Sequence, residues 1–312
     1  MPALVPGFVV DYQPAMLSTE LEHDLRLWGH RGAPAERPEN TLPSFLLALE
    51  RGANALELDV HMTRDGQLVV SHDPSGRRVA RAPERIRRSS LSEVKTWDAG
   101  FGFIAPRPRA WLTRLRAQRW APAQLFDPFR GRPFVGQGYR MPTLEEVLVE
   151  LPRTTLSVDI KPHRAEVLEP VLEVIRRQSA EHRVTLASFD AATIRAVRRY
   201  GYRGPTALAR REIAALFAVP APLASRFVAG ATAAQVPVRQ GPMVFGSRWF
   251  IAKCHALGLR VDFWTIDDPL EADRLFELGA DGVMTNDPAA LWPVFSRHEA
   301  RRQTKPARSG AR

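Results

Sequence analysis

Cysteine is almost missing from this chain: Cys254 stands alone among 312 residues. That excludes an internal disulfide framework and a cysteine-based zinc site, and it makes a reducing cytoplasm the expected compartment. Long apolar runs are missing as well. No stretch approaches the roughly 20 residues that a membrane-spanning helix needs. The opening residues, MPALVPGFVVDYQPAMLSTELEHD, lack a basic segment followed by a long apolar core, so a secretory signal is not expected. Lysine is scarce too, with only Lys95, Lys161, Lys253 and Lys305 among 44 basic residues. What is present is ordinary for a globular chain: 45% hydrophobic and 25% charged residues, which excludes a largely disordered protein.

The net charge of +10 is unevenly spread. Pro74 to Arg140 holds 15 basic and 4 acidic residues, and Arg297 to Arg312 holds 6 basic and 1 acidic. The rest of the chain is mildly acidic. A basic insertion and a basic tail favour anionic partners, such as phosphate esters or an acidic membrane surface. No nucleic-acid motif accompanies the charge, so nucleic acid is not an expected partner.

Hydrophobic periodicity organises the chain. Strands are expected at 25–29, 55–63, 68–73, 155–161, 184–189, 205–209, 233–238, 260–266 and 281–285, and helices at 40–51, 142–151, 164–178, 190–200, 247–257 and 269–278. Asn40 or Thr41 is placed to cap the first helix. Alternation of strand and helix at this spacing means parallel βα units. Eight such units fit a (β/α)₈ TIM barrel, with a doubly wound open sheet as the alternative. Nine strands are one too many. The link between 63 and 68 is too short for a crossover, so one of the flanking segments is expected to be a hairpin arm.

Polar residues fall where strands end: His30 and Arg31, Glu57 and Asp59, His72 and Asp73, Asp159 and Lys161, Trp264 and Thr265. In a parallel barrel those ends gather at one mouth, where active sites lie. Glu57 and Asp59 are two apart on a strand and share a face. Carboxylates crowded there, with Asp159 as a third, suit a hard divalent ion such as Mg²⁺ or Ca²⁺. A pair of histidines supplies a general base and a general acid. Arg31 and Lys161 add fixed positive charge. Together these groups describe a site for a phosphodiester.

The same residues resemble the glycerophosphodiester phosphodiesterase family, of the phospholipase-C-like phosphodiesterase type. The likeness rests on His30-Arg31-Gly32, Pro38-Glu39-Asn40-Thr41, Glu57-Leu58-Asp59-Val60 and His72-Asp73. Further on it rests on Pro142-Thr143-Leu144-Glu145-Glu146, Asp159-Ile160-Lys161, Trp264-Thr265 and Gly279-Ala280-Asp281-Gly282. It spans about 25–103 and 139–293. The resemblance implies a TIM barrel that hydrolyses glycerophosphodiesters to glycerol phosphate and an alcohol. It implies His30 and His72 as the catalytic acid–base pair, and Glu57, Asp59 and Asp159 as ligands of Mg²⁺ or Ca²⁺. Arg31, Lys161 and Trp264 would contact the substrate. Lysophospholipase D-like action on lysophospholipids at a membrane surface is the alternative activity, and an inactive anion-binding barrel is the alternative of another class. Two departures stand out. Asp159 occupies a position where the family usually carries Glu, and Asp267 one where it carries Asn.

The expected organisation is an N-terminal extension over 1–24, a barrel over 25–295 with an insertion at about 104–138 after the third strand, and a disordered basic tail over 296–312. Within the insertion, 107–121 reads as a basic amphipathic helix carrying Trp111 and Trp120. Such a helix would lie in a membrane interface or pack as a flap on the barrel rim. Peripheral membrane contact of a cytoplasmic enzyme is the matching expectation.

Overall fold

The structure is a computed structural model that describes residues 24–104, 131–161, 165–228 and 230–304. The N-terminal extension before residue 24 and the helix expected at 107–121, with Trp111 and Trp120, lie outside the described residues. Among the described residues no helix is long and apolar enough to cross a membrane.

Among the described residues ten strands are formed: β1 (Arg26–His30), β2 (Ala55–Met62), β3 (Leu68–Val70), β4 (Thr155–Ile160), β5 (Val184–Ala187), β6 (Ala233–Val236), β7 (Arg239–Gln240), β8 (Met243–Val244), β9 (Arg260–Phe263) and β10 (Gly282–Thr285). Seven of them pair in the parallel order β5-β4-β2-β1-β10-β9-β6. The ring closes through residues expected as a full strand at 205–209. Only parallel bridges remain there, Leu186 to Thr206 on one side and Ala207 to Ala233 on the other. This reduced stave is the eighth member of a TIM barrel. The surplus strand is β3, which folds back antiparallel on β2 as the short link required.

The two faces of each stave divide the labour. On β2 and β4, Leu56, Leu58, Val60, Leu156, Val158 and Ile160 face outward and are buried against the helices Leu42–Glu50, Leu144–Glu150 and Leu168–Arg177. Burying one such side chain is worth about 1.5–3 kcal/mol. A second apolar layer, including Val261, Phe263, Val283, Phe250 and Leu275, does the same for the other half of the ring. The inward face carries Trp28, Ala55 and Met284 at mid-depth and polar residues above and below them.

Some local expectations change. Neither Asn40 nor Thr41 caps the first helix through its side chain. Thr41 donates to the Pro38 carbonyl at 2.7 Å, and Asn40 turns toward Asp59 instead. Thr143 and Glu146 do form a reciprocal capping box, which accounts for the PTLEE run. The stretch after β3, irregular in sequence, contains short helices at Arg77–Ala80 and Leu91–Val94 and its own small core around Ile86, Val94, Trp97 and Met141. Helices at Arg210–Ala218 and Ala221–Val228 were not foreseen. The last helix runs from Pro288 to Gln303 and buries Leu291, Val294, Phe295 and His298. The barrel therefore extends past 295, and residues 296–303 are helix rather than disordered tail.

Candidate active site

Two-residue steps along the inward faces deliver the site. The series Trp28–His30, Ala55–Glu57–Asp59, Ser157–Asp159 and Asp262–Trp264 each end at the same mouth. Register then fixes the neighbours: His30 lies beside Glu57, and Asp59 lies beside Asp159. A cavity of about 250 Å³ opens there, lined by His30, Arg31, Glu57, Asp59, His72, Asp159, Lys161 and Trp264 among others. Every residue singled out in the sequence for catalysis, metal or substrate is thus brought to one cavity.

The turn after β1 is tightly specified. Arg31 has φ +59° and Gly32 φ +94°, and a β-carbon on Gly32 would meet Ser44 Oγ at 2.4 Å. Only glycine fits there. The turn aims the Arg31 backbone N–H at Glu57 Oε2, 3.2 Å away, and sets Arg31 Nε 3.3 Å from Asp59 Oδ2.

The carboxylates are unequal. Burial, and then Asp59 beside it, push the Glu57 carboxyl well above the usual carboxylate range. Asp159 is also raised, because burial outweighs the nearby Lys161. Asp59 goes the other way: burial opposes its charge, but Lys161 and Arg31 outweigh it and hold the group low. Lys161 Nζ stands 2.8 Å from both Asp59 Oδ1 and Asp159 Oδ2. Its ammonium, against burial, is held above the usual range by those two anions.

Among the described residues no group of three or more carboxylate, imidazole or thiol side chains forms a ready-made metal cluster; the Lys161 bridge occupies the space between Asp59 and Asp159. The donor chemistry nevertheless fits a hard cation. Asp159 Oδ1 and Asn40 Oδ1 are buried oxygens without a hydrogen-bond partner. Glu57 is held protonated-prone by burial and then by Asp59 beside it, a tension that a cation joining the carboxylates would relieve.

The histidines have contrasting partners. His30 Nδ1 meets Asn286 Oδ1 at 2.8 Å, while its Nε2 lies 3.9 Å from Glu57 Oε2. Burial, and then Arg31, lower its pKa from the ordinary imidazole value. His72 Nδ1 donates to Asp73 Oδ1 at 2.8 Å, and Arg78 Nε donates to the other Asp73 oxygen at 2.7 Å. Burial opposes the Asp73 charge, but Arg78 and His72 keep its carboxyl below the usual range. Arg78 also forks onto Glu39, at 2.6 and 2.8 Å, and Glu39 in turn accepts from Arg31 at 3.2 Å.

Several site residues were not assigned a role from sequence. Glu39, Asn40 and Asp73 lay inside quoted motifs, which was their signal. His61 follows Asp59 by two on the same face, and its Nε2 donates to the His72 carbonyl at 3.1 Å. Phe189 packs edge-on against Trp264 at 5.9 Å and completes an aromatic wall. Asn286 follows the last strand directly, one more polar residue at a strand end.

Known proteins resemble this chain in sequence and in fold. A family model described as the glycerophosphoryl diester phosphodiesterase family matches residues 30–290. The chain is similar to a glycerophosphodiester phosphodiesterase of Caldanaerobacter subterraneus, 28% identical over 84% of this chain and 94% of that protein. It is also similar to a lysophospholipase D of Mus musculus, 25% identical over 92% of each. Among solved structures, one of a putative glycerophosphoryl diester phosphodiesterase from Silicibacter pomeroyi superposes with a TM-score of 0.67 at 25% identity, over 88% of this chain and 94% of that one. The fold is shared as well with an Oleispira antarctica phosphodiesterase solved in complex with the product sn-glycerol-3-phosphate, TM-score 0.65 at 21% identity, over 87% of this chain and 96% of that one.

Proposed function

Because this chain belongs to the glycerophosphoryl diester phosphodiesterase family, we propose that it hydrolyses glycerophosphodiesters to glycerol phosphate and an alcohol, with His30 as general base and His72 as general acid. The observation that carries the division of roles is what stands behind each ring. His30 is buried next to a guanidinium and bonded to a neutral amide, surroundings that favour the neutral imidazole a base requires. His72 is bonded to the carboxylate of Asp73, an anion able to balance the charge of a proton donor.

Asp73 accepts from His72 Nδ1, so Nε2 is the nitrogen left to exchange a proton. His30 takes the proton of the attacking hydroxyl. Water gives glycerol phosphate directly, whereas the neighbouring glycerol hydroxyl gives a cyclic glycerol phosphate that a water then opens, with His72 taking the water's proton and His30 returning one to the glycerol oxygen. The phosphorus–oxygen bond to the alcohol breaks, and His72 hands its proton to the leaving alkoxide. Arg31 and Lys161 hold the phosphate and offset charge on its non-bridging oxygens. Trp264, backed by Phe189, packs against the rest of the substrate. Glu57, Asp59 and Asp159 would hold Mg²⁺ or Ca²⁺, which supplies Lewis-acid stabilisation of the phosphate when bound.

A second reading concerns the glycerol side of the substrate, which in a lysophospholipid carries a fatty acyl chain. The cavity wall formed by Ile213, Ala214, Met243, Phe245 and Trp264 is apolar, room that a choline or ethanolamine head does not need. Together with the likeness to a lysophospholipase D, this supports lysophospholipids as alternative substrates, met at an anionic membrane surface.

The test is product release from glycerophosphocholine, glycerophosphoethanolamine and lysophosphatidylcholine, with Mg²⁺ or Ca²⁺ and with excess EDTA. Glycerol phosphate from the soluble diesters, abolished by EDTA and restored by metal, is expected. Faster release of choline from the lysolipid would select the second reading. Full activity in EDTA would remove the metal from the account.

A further inference from the structure

Asp267 lies outside the cavity lining, yet its contacts run straight to the catalytic end of the barrel. Its carboxylate accepts three hydrogen bonds from one short segment. Oδ1 takes the Thr285 hydroxyl at 2.9 Å and the Asn286 backbone N–H at 2.7 Å, and Oδ2 takes Asn286 Nδ2 at 2.8 Å. A carboxylate offers no proton, so the Asn286 amide must present its NH₂ to Asp267. Its carbonyl oxygen is thereby turned the other way, toward His30 Nδ1 at 2.8 Å. A carbonyl oxygen only accepts, so His30 must carry its proton on Nδ1. The lone pair is then on Nε2, the nitrogen on the Glu57 side.

We propose that Asp267 is a positioning residue that fixes, through the orientation of the Asn286 amide, the His30 tautomer with a bare Nε2. The proposal rests on His30 being the base, and it predicts that Asn at position 267 is not neutral in this chain. An Asn at 267 keeps one acceptor oxygen but replaces the other with an NH₂ donor. Facing that donor, the Asn286 amide gains by rotating half a turn. Its oxygen then meets residue 267 and its NH₂ meets His30 Nδ1, which must become the acceptor. The proton moves to Nε2, and the ring can no longer take one from a hydroxyl there. Exchanging both residues repairs the chain of bonds. With Asp267→Asn and Asn286→Asp together, the carboxylate at 286 accepts both from the amide at 267 and from His30 Nδ1.

The experiment is ¹⁵N NMR of histidine-labelled, metal-free protein, whose ring-nitrogen shifts and couplings distinguish the two neutral tautomers, alongside kinetics with Mg²⁺. His30→Ala assigns the resonances. Asp267 is exposed, so its replacement leaves the core intact. Wild type is expected to show the Nδ1–H form. Asp267→Asn is expected to show the Nε2–H form and to lose about 10²-fold or more in kcat, within the span of one general base, with little change in KM. The double exchange should restore the Nδ1–H form and most of kcat. An unchanged His30 tautomer in Asp267→Asn would overturn the proposal, as would a double variant no better than the single one. Full activity of His30→Ala would instead overturn the base assignment and leave the tautomer result to stand on its own.

Discussion

The barrel buries charge at both ends, and the two ends treat it differently. At the N-terminal end, Asp262 accepts from Trp28 Nε1 at 3.0 Å and from Arg260 at 2.7 Å, with Arg26 alongside. Asp281 accepts from the Val261 N–H and from His255, each at 2.8 Å, and its carboxyl stays low because these partners outweigh burial. Anions and cations are matched there, at a cost borne by Arg26, whose pKa burial and then Arg260 push down to about 10. At the C-terminal end, Glu57, Asp59, Asp159, Glu39 and Asp73 outnumber Arg31, Lys161 and Arg78, and two of the carboxyls are raised rather than lowered. Matched buried charges tie strands together. Unmatched ones store a tension that a ligand relieves, and this is the mark of a site.

The comparison breaks first where effects are largest. His30→Ala or His72→Ala should each cost about 10²- to 10⁴-fold in kcat on glycerophosphocholine while leaving the melting temperature near wild type. With an aryl leaving group, such as a nitrophenyl phosphodiester, His72→Ala should lose much less, because that group departs without a proton. Equal losses on both substrates would take the acid role from His72.

Next comes the opposite end. Asp262→Ala strands the Arg260 guanidinium in the core and should cost about 3–5 kcal/mol of stability, read by denaturant unfolding. Activity per folded molecule should stay the same. A large fall in kcat without loss of stability would mean that the two ends do not divide as described.

The smallest effect is a pH dependence. Asp281 has a folded-state pKa below its unfolded value, so its contribution is complete above the ordinary carboxylate value and is lost as pH falls through the folded one. Asp281→Asn should therefore be less stable than wild type at pH 6, and the gap should close on acidification. A gap independent of pH would assign the loss to packing.

The sequence made the inward series legible because a strand's period of two separates Glu57 and Asp59 from Leu56, Leu58 and Val60 without knowledge of the fold. The same rule, carried one step past Thr285, reaches Asn286. An Asn after a strand is also an ordinary turn residue, and nothing local marks it otherwise. The Arg78 fork onto Glu39 joins residues 39 apart and has no local signature. The stave at 205–209 was legible as a strand, and the fold keeps only its two bridges, at Thr206 and Ala207. Of the helices at Arg210–Ala218 and Ala221–Val228, the second holds Pro222 in its first turn, where a helix tolerates a residue that otherwise breaks it.

The most direct test of the central claim, that the mouth holds charge the fold would be better without, is the thermal stability of metal-free Glu57→Gln at pH 7. Glu57 has a folded-state pKa above its unfolded one, so wild type loses stability as pH rises past the ordinary carboxylate value. The variant escapes that loss. It should melt higher than wild type by about 2–5 °C at pH 7, and the difference should vanish near pH 4. A variant that melts lower than wild type at pH 7 would show Glu57 to be a satisfied structural ion, and the contrast between the two ends would fall.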